Sequence, residues 1–159
     1  SMIFDTAPGE MFIVRNVANL VPPYAPDAAY HGTSAALEFA VRALQVQDIV
    51  VLGHAQCGGV KALLEGTPST VSDFVGQWMQ IAEPARVRVM ACPDLHDRQL
   101  ACEHEVVRLS IENLKTFWWV REATEAGTLR LHGCYFGIRS GVLEVLGEDG
   151  KFAPVPDVA

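Results

Sequence analysis

The chain has 159 residues, half of them hydrophobic and 19% charged, with a formal net charge of −7. That length suits one domain around a single hydrophobic core, and that balance excludes disordered, fibrous and low-complexity classes. The acidic charge opposes non-specific attraction to nucleic acid or to an anionic membrane surface, and no apolar stretch is long enough to span a bilayer.

Ser1-Met2-Ile3-Phe4-Asp5 lacks the basic flank and apolar run of a secretory signal, so a cytoplasmic address is expected. Met11-Phe12-Ile13-Val14 and Asp48-Ile49-Val50-Val51-Leu52 are short apolar runs rich in β-branched residues, the pattern of strands covered on both faces. Between them Leu37, Ala40, Val41 and Leu44 recur at helical spacing after a possible cap at Thr33 or Ser34, which makes a strand-helix-strand crossover. The second strand ends at Gly53, and after Gly58-Gly59 a further helix opens at Val60. Beyond Gly66, Ser72 or Asp73 caps a helix containing Phe74, Trp78 and Ile81, which Pro84 ends or restarts. A longer helix from near Asp97 to Phe117 buries Leu100, Val107, Ile111 and Leu114. Leu129–Phe136 and Val142–Leu146 read as strands joined through the turn from Gly137 to Gly141, and the last residues, with Pro154 and Pro156, as a tail. The class is α/β, a mostly parallel β-sheet flanked by helices with an edge hairpin, in one domain spanning 1–159.

The chemistry concentrates in Gly53-His54-Ala55-Gln56-Cys57-Gly58-Gly59, where a buried strand gives way to a helix. An imidazole and a thiol three residues apart can reach one ion, and zinc takes His nitrogen and Cys sulfur in tetrahedral array. The glycines allow backbone N–H groups to approach a small anion closely. The bland reading is a Gly-rich turn with a core cysteine, because His-x-x-Cys is half a metal site. Cys92, His96, Cys102 and His104 have metal-binding residue types but poor spacing, with Cys102 read as core and His104 as solvated. Four cysteines are too sparse for a disulfide scaffold, and none is expected to be paired. His132 reads as core or edge packing. No G-x-S-x-G elbow, P-loop or G-x-G-x-x-G is present, which removes the common hydrolase, NTPase and dinucleotide readings.

The string from Phe12 to Tyr24, Phe-Ile-Val-Arg-Asn-Val-Ala-Asn-Leu-Val-Pro-Pro-Tyr, followed by Gly32-Thr33-Ser34-Ala35-Ala36-Leu37-Glu38-Phe39 and by Gly53 to Gly59, closely resembles β-class carbonic anhydrases. Its Pro22-Pro23-Tyr24 ending is most similar to the plant-type branch, and weaker similarity continues through Gly76-Gln77-Trp78 and Asn113-Leu114 to His132-Gly133. The resemblance implies one zinc per subunit, held by a Cys, a His and a second Cys, and reversible hydration of carbon dioxide to bicarbonate and a proton. Zinc can lower the pKa of bound water to about 7, which supplies hydroxide at neutral pH. His54 and Cys57 match the later two ligands. Phe12, Val17, Phe39, Gly58 and Gly59 match the substrate pocket.

The family's earlier Cys-x-Asp-x-Arg motif, with its remaining ligand and catalytic Asp-Arg pair, does not occur in these 159 residues. The expectation is therefore an N-terminal part missing from the domain, and a 159-residue species that is inactive. Some members carry a regulatory bicarbonate site built on an Arg matching Arg15 and a Tyr where this chain has Phe136, so that control is not expected here. The resemblance also implies a homodimer or higher homo-oligomer, with the contact including Ser34–Leu44 and Val17–Tyr24. The competing readings are a metal-free or truncated inactive family member acting as a dimeric scaffold, and an anion-binding turn without metal.

Overall fold

The computed structural model describes residues 3–156, so the parts of the N-terminal and tail expectations that fall on residues 1–2 and 157–159 lie outside it. Met11–Val14 runs outside any helix or strand. Its composition suits a pleated surface, but a strand also needs a hydrogen-bonded neighbour. Strand β1 (Asp48–His54) has only β2 (Arg130–Phe136) beside it among the described residues. The segment that follows Met11–Val14 is fastened by side chains instead. Asn16 accepts from the Leu20 N–H at 3.0 Å and donates to the Leu20 carbonyl at 2.8 Å. Ser110 donates to the Asn19 carbonyl at 2.9 Å and accepts from the Val21 N–H at 3.2 Å, while Asn113 donates to the Val21 carbonyl at 2.8 Å. These bonds satisfy an irregular backbone and explain a fully buried serine in the core.

Helix α1 (Gly32–Glu38) continues through one wide turn, Phe39–Ala43, before β1. Neither Thr33 nor Ser34 caps it: His31 holds the cap position, and the Thr33 hydroxyl accepts from Asn16 at 3.2 Å. Ala40 is buried and Leu37 and Val41 pack beneath β1, whereas Leu44 faces out. β1 and β2 are parallel, from Asp48 opposite Arg130 to His54 opposite Phe136. The crossover therefore runs from β1 over the following helices to β2, not from Met11–Val14 to β1. Those helices are α2 (Gly58–Glu65), α3 (Val75–Met79), α4 (Glu83–Met90), α5 (Arg98–Leu114) and α6 (Trp118–Glu125). Pro84 restarts the helical path in the first turn of α4, where a missing N–H costs nothing. Ser72 and Asp73 do not cap α3, whose cap position is the 85% exposed Phe74. Asp97 caps α5 by accepting from the Leu100 N–H at 2.9 Å. Val107 and Leu114 are buried and Ile111 partly so, but Leu100 is 38% exposed because Gln99 and Ala101, not Leu100, face inward from the first turn of α5.

Strands β3 (Leu143–Leu146) and β4 (Phe152–Pro154) complete a sheet in the order β1-β2-β3-β4. Class α/β holds, with one parallel pairing and two antiparallel ones. The sheet is mixed because the short turns before β3 and β4 permit only antiparallel return. Residues assigned to a tail thus form an edge strand, where Pro154 has no ladder bond to donate. Helix α5 divides the core. One cluster joins it to α2 and α4 through Val60, Val89, Cys102 and Val106, and the other joins it to β1 and α6 through Val51, Val107 and Val120.

Candidate metal centre

The turn from β1 to α2 carries the two donors. β1 ends at the exposed His54, Gln56 sits in the left-handed region at φ 58°, and the buried Cys57 occupies the cap position of α2. A non-glycine residue there costs on the order of 1 kcal/mol, so the surroundings must hold the turn in place. His54 Nδ1 lies 2.9 Å from the Ala55 carbonyl, which can only accept. Nδ1 therefore carries the proton, and in the neutral ring the Nε2 lone pair is free, the arrangement seen in metal-ligating histidines.

Cys57 is clasped from α5. Glu103 Oε1 accepts from the Cys57 N–H at 2.8 Å, and Gln99 Nε2 donates to the Cys57 carbonyl at 3.1 Å and to Glu103 Oε1 at 2.7 Å. The other carboxylate oxygen, Oε2, accepts from the Tyr135 hydroxyl of β2 at 2.7 Å. Burial, then the hydrogen bond and charge of Glu103, push the Tyr135 hydroxyl well above its ordinary value, so it stays a donor. Glu103 is 3% exposed, and its hydrogen-bond partners, the Cys57 N–H, Gln99 and Tyr135, are all uncharged.

The donors present suit zinc in kind but are two in number. Among the described residues no group of three or more His, Cys, Asp and Glu side chains is placed to hold a metal ion. Two donors are half of what a tetrahedral zinc ion takes, so no reaction step follows from these residues alone. The second cluster stays dispersed. Cys92 is exposed, whereas Cys102 is buried, its thiol pushed up to about 11 by burial and then by Glu103 and Glu105. His104 is not solvated: it stacks on Phe152 at 4.2 Å and meets the Tyr135 ring edge-on at 4.5 Å, because β4 folds over it. His132 pairs with Asp48 at 2.8 Å at the opposite end of β1. All four cysteines are free.

Of the pocket residues, Phe12 and Phe39 bring their rings within 6.0 Å of each other, yet they are 47% and 52% exposed, and Val17 is 43% exposed. Phe12 and Phe39 thus form an open apolar pair, and Val17 lies beside Gly59. Gly59 packs against Val17 and Ala18: a Cβ on it would lie 2.8 Å from Val17 Cγ1 and 3.0 Å from Ala18 Cβ, while a Cβ on Gly58 would meet nothing within 4 Å. The cleft beside the turn, about 390 Å³, is lined by Ala55, Gln56, Tyr135, Arg139 and Glu144 among others, and neither His54 nor Cys57 is in its wall. Sequence reading missed Gln99, Glu103 and Tyr135. The available signal was a carboxylate at a core position of α5, flanked by Cys102 and Val106 on the same helix.

The carbonic anhydrase family model matches residues 1–143. Beta carbonic anhydrase 3 of Arabidopsis thaliana is 38% identical over 161 residues, covering 97% of this chain and 62% of that protein. Beta carbonic anhydrase 6, mitochondrial, of the same plant is 38% identical over 149 residues, covering 91% and 51%. The chain thus spans between half and two thirds of these relatives. Among solved structures, the β-carbonic anhydrase CcaA superimposes with a TM-score of 0.89 at 28% identity over 97% of this chain and 76% of that one. A tetrameric β-carbonic anhydrase from Sordaria macrospora gives 0.76 at 28% identity over 98% and 75%. With a His-x-x-Cys turn at the end of β1, a match through most of its length and the same fold, the chain belongs to the carbonic anhydrases of the β class, on their plant-type branch.

Proposed function

We propose that the protein these residues belong to is a zinc-dependent carbonic anhydrase that hydrates carbon dioxide reversibly to bicarbonate and a proton, with His54 and Cys57 as two of its zinc ligands. The observation that carries this is the turn itself: an exposed imidazole whose Nδ1 proton is committed to the Ala55 carbonyl, and a cysteine held rigidly three residues later, in a chain of this family. The remaining donors come from a Cys-x-Asp-x-Arg segment, which the 159 residues do not contain. Phe12, Val17 and Phe39 line the apolar approach for CO2, with Gly58 and Gly59 beside it. In the same reading the protein is a homodimer or larger homo-oligomer, and its address is cytoplasmic. No helix among the described residues is long and apolar enough to cross a membrane.

Metal analysis and an indicator-coupled hydration assay test this on two polypeptides, the 159-residue chain and one extended at its N-terminus with the family's Cys-x-Asp-x-Arg segment. The extended chain is expected to hold close to one zinc per subunit and to be active, and the 159-residue chain to be inactive. In the extended chain His54→Ala or Cys57→Ser loses most of the zinc and nearly all hydration. Unchanged zinc in either variant removes that residue from the site. A zinc-free, inactive extended chain would favour the dimeric scaffold reading.

A further inference from the structure

Cys57 is gripped on both sides of its peptide frame by one face of one helix. Gln99 and Glu103 are four residues apart on α5 and so lie one turn above the other. The first donates to the Cys57 carbonyl and the second accepts from its N–H, the two bonds a neighbouring strand would supply. Gln99 also donates to Glu103, and Tyr135 braces the far oxygen of the carboxylate, so the clasp cannot swing away from the turn. The residue it grips follows Gln56, whose left-handed backbone is a conformation that persists only where its surroundings fix it. A buried carboxylate with uncharged partners is costly to keep in a core and unnecessary for packing. Its geometry answers to Cys57.

We propose that Glu103, assisted by Gln99, is a positioning residue for Cys57: it fixes the backbone of the turn and hence the direction in which the thiol is presented. The proposal rests on the reading of Cys57 as a zinc ligand, and the protein achieves through α5 what metal sites commonly achieve through hydrogen bonds to the ligand side chains.

Native-state amide hydrogen exchange on the 159-residue chain tests the clasp without metal. In Glu103→Leu the Cys57 amide should exchange about ten-fold or more faster, because its acceptor is gone, while the Val106 and Val107 amides change by less than about three-fold. Glu103→Gln retains an acceptor for Cys57 and should stay within about three-fold of the wild type at all three. A uniform rise, as from a merely structural residue, or an unchanged Cys57 amide overturns the proposal. If Glu103→Leu does not fold, Gln99→Leu decides: about three-fold faster exchange at Cys57 is expected, and none overturns it. In the zinc-loaded extended polypeptide, Glu103→Leu should weaken zinc about 10- to 100-fold, measured by competition with a chromogenic chelator, and Glu103→Gln should not. If that polypeptide takes up no zinc, the function reading fails while the exchange result still judges the clasp. If zinc binds and exchange at Cys57 is flat, the clasp fails alone.

Discussion

Gly58 and Gly59 are adjacent in the chain and under opposite constraints. A methyl group at Gly59 would press into Val17 and Ala18, so Gly59→Ala should cost about 1–3 kcal/mol in urea unfolding. At Gly58 the space is open and the residue lies in the first turn of α2, so Gly58→Ala should be neutral or stabilise by up to about 1 kcal/mol. The reverse order of the two would overturn the packing argument. In a loaded enzyme the pair separates roles further: lost hydration in a fully stable Gly58→Ala protein would assign Gly58 to substrate approach. His54 and Cys57 can be proposed from the sequence because their chemistry and spacing are local. Glu103, Gln99 and Tyr135 cannot, because they meet Cys57 only after α5 and β2 have packed on the turn.

The elements read best from sequence were those whose signal is internal to them: β1, α2, the capped α5, and the β2–β3 hairpin. Met11–Val14 has strand composition without a strand partner, and β4 ends in a proline that argues against a strand yet suits an edge. β4 is held by α5. Arg108 donates to the Gly150 carbonyl at 2.8 Å and lies 5.2 Å from the centre of the Phe152 ring, while His104 stacks on the same ring. Burial first, then the charge of Arg108, lowers the His104 pKa, and Glu103 and Glu105 on its own helix pull the other way. From β3, Glu144 lies 3.9 Å from Nε2, too long for a hydrogen bond, and Tyr135 presents its ring. A histidine held neutral in the fold takes up its proton more readily when unfolded. Its contribution is therefore present above about pH 6.5 and is lost as pH falls from there through the folded pKa. His104→Phe keeps a ring against Phe152 and removes the titration. Relative to it, the wild type should lose stability below pH 6.5 by at most about 1.4 kcal/mol per pH unit, read from urea midpoints at several pH values. Parallel curves for the two proteins would show that His104 does not titrate in this window.

At the scale of the whole molecule, one group of exposed apolar side chains falls where a partner subunit is expected. Phe12, Ile13, Val14, Val17, Tyr24, Phe39 and Leu44 are each at least 40% exposed, and they fall in the N-terminal segment and the helix it runs beside. Exposed apolar surface of this kind suits an interaction contact, and Phe12 and Phe39 meet within it. It coincides with the contact that the resemblance implies, Val17–Tyr24 and Ser34–Leu44, and extends it to Phe12–Val14. Phe39 is the best probe because its ring meets Phe12 and little else encloses it. In an isolated chain Phe39→Glu should change folding stability by no more than about 0.5 kcal/mol, as surface substitutions do. In a two-fold dimer the same patch of both copies is buried, so two carboxylates would be desolvated in an apolar contact of on the order of 2,000 Å². Light scattering at micromolar concentration should therefore show the wild type as a dimer or larger and Phe39→Glu shifted to monomer, with similar urea midpoints at concentrations where both are monomeric. An assembly unaffected by Phe39→Glu would place the contact elsewhere on the molecule. A wild type that remains monomeric even when extended with the Cys-x-Asp-x-Arg segment would overturn the interface itself.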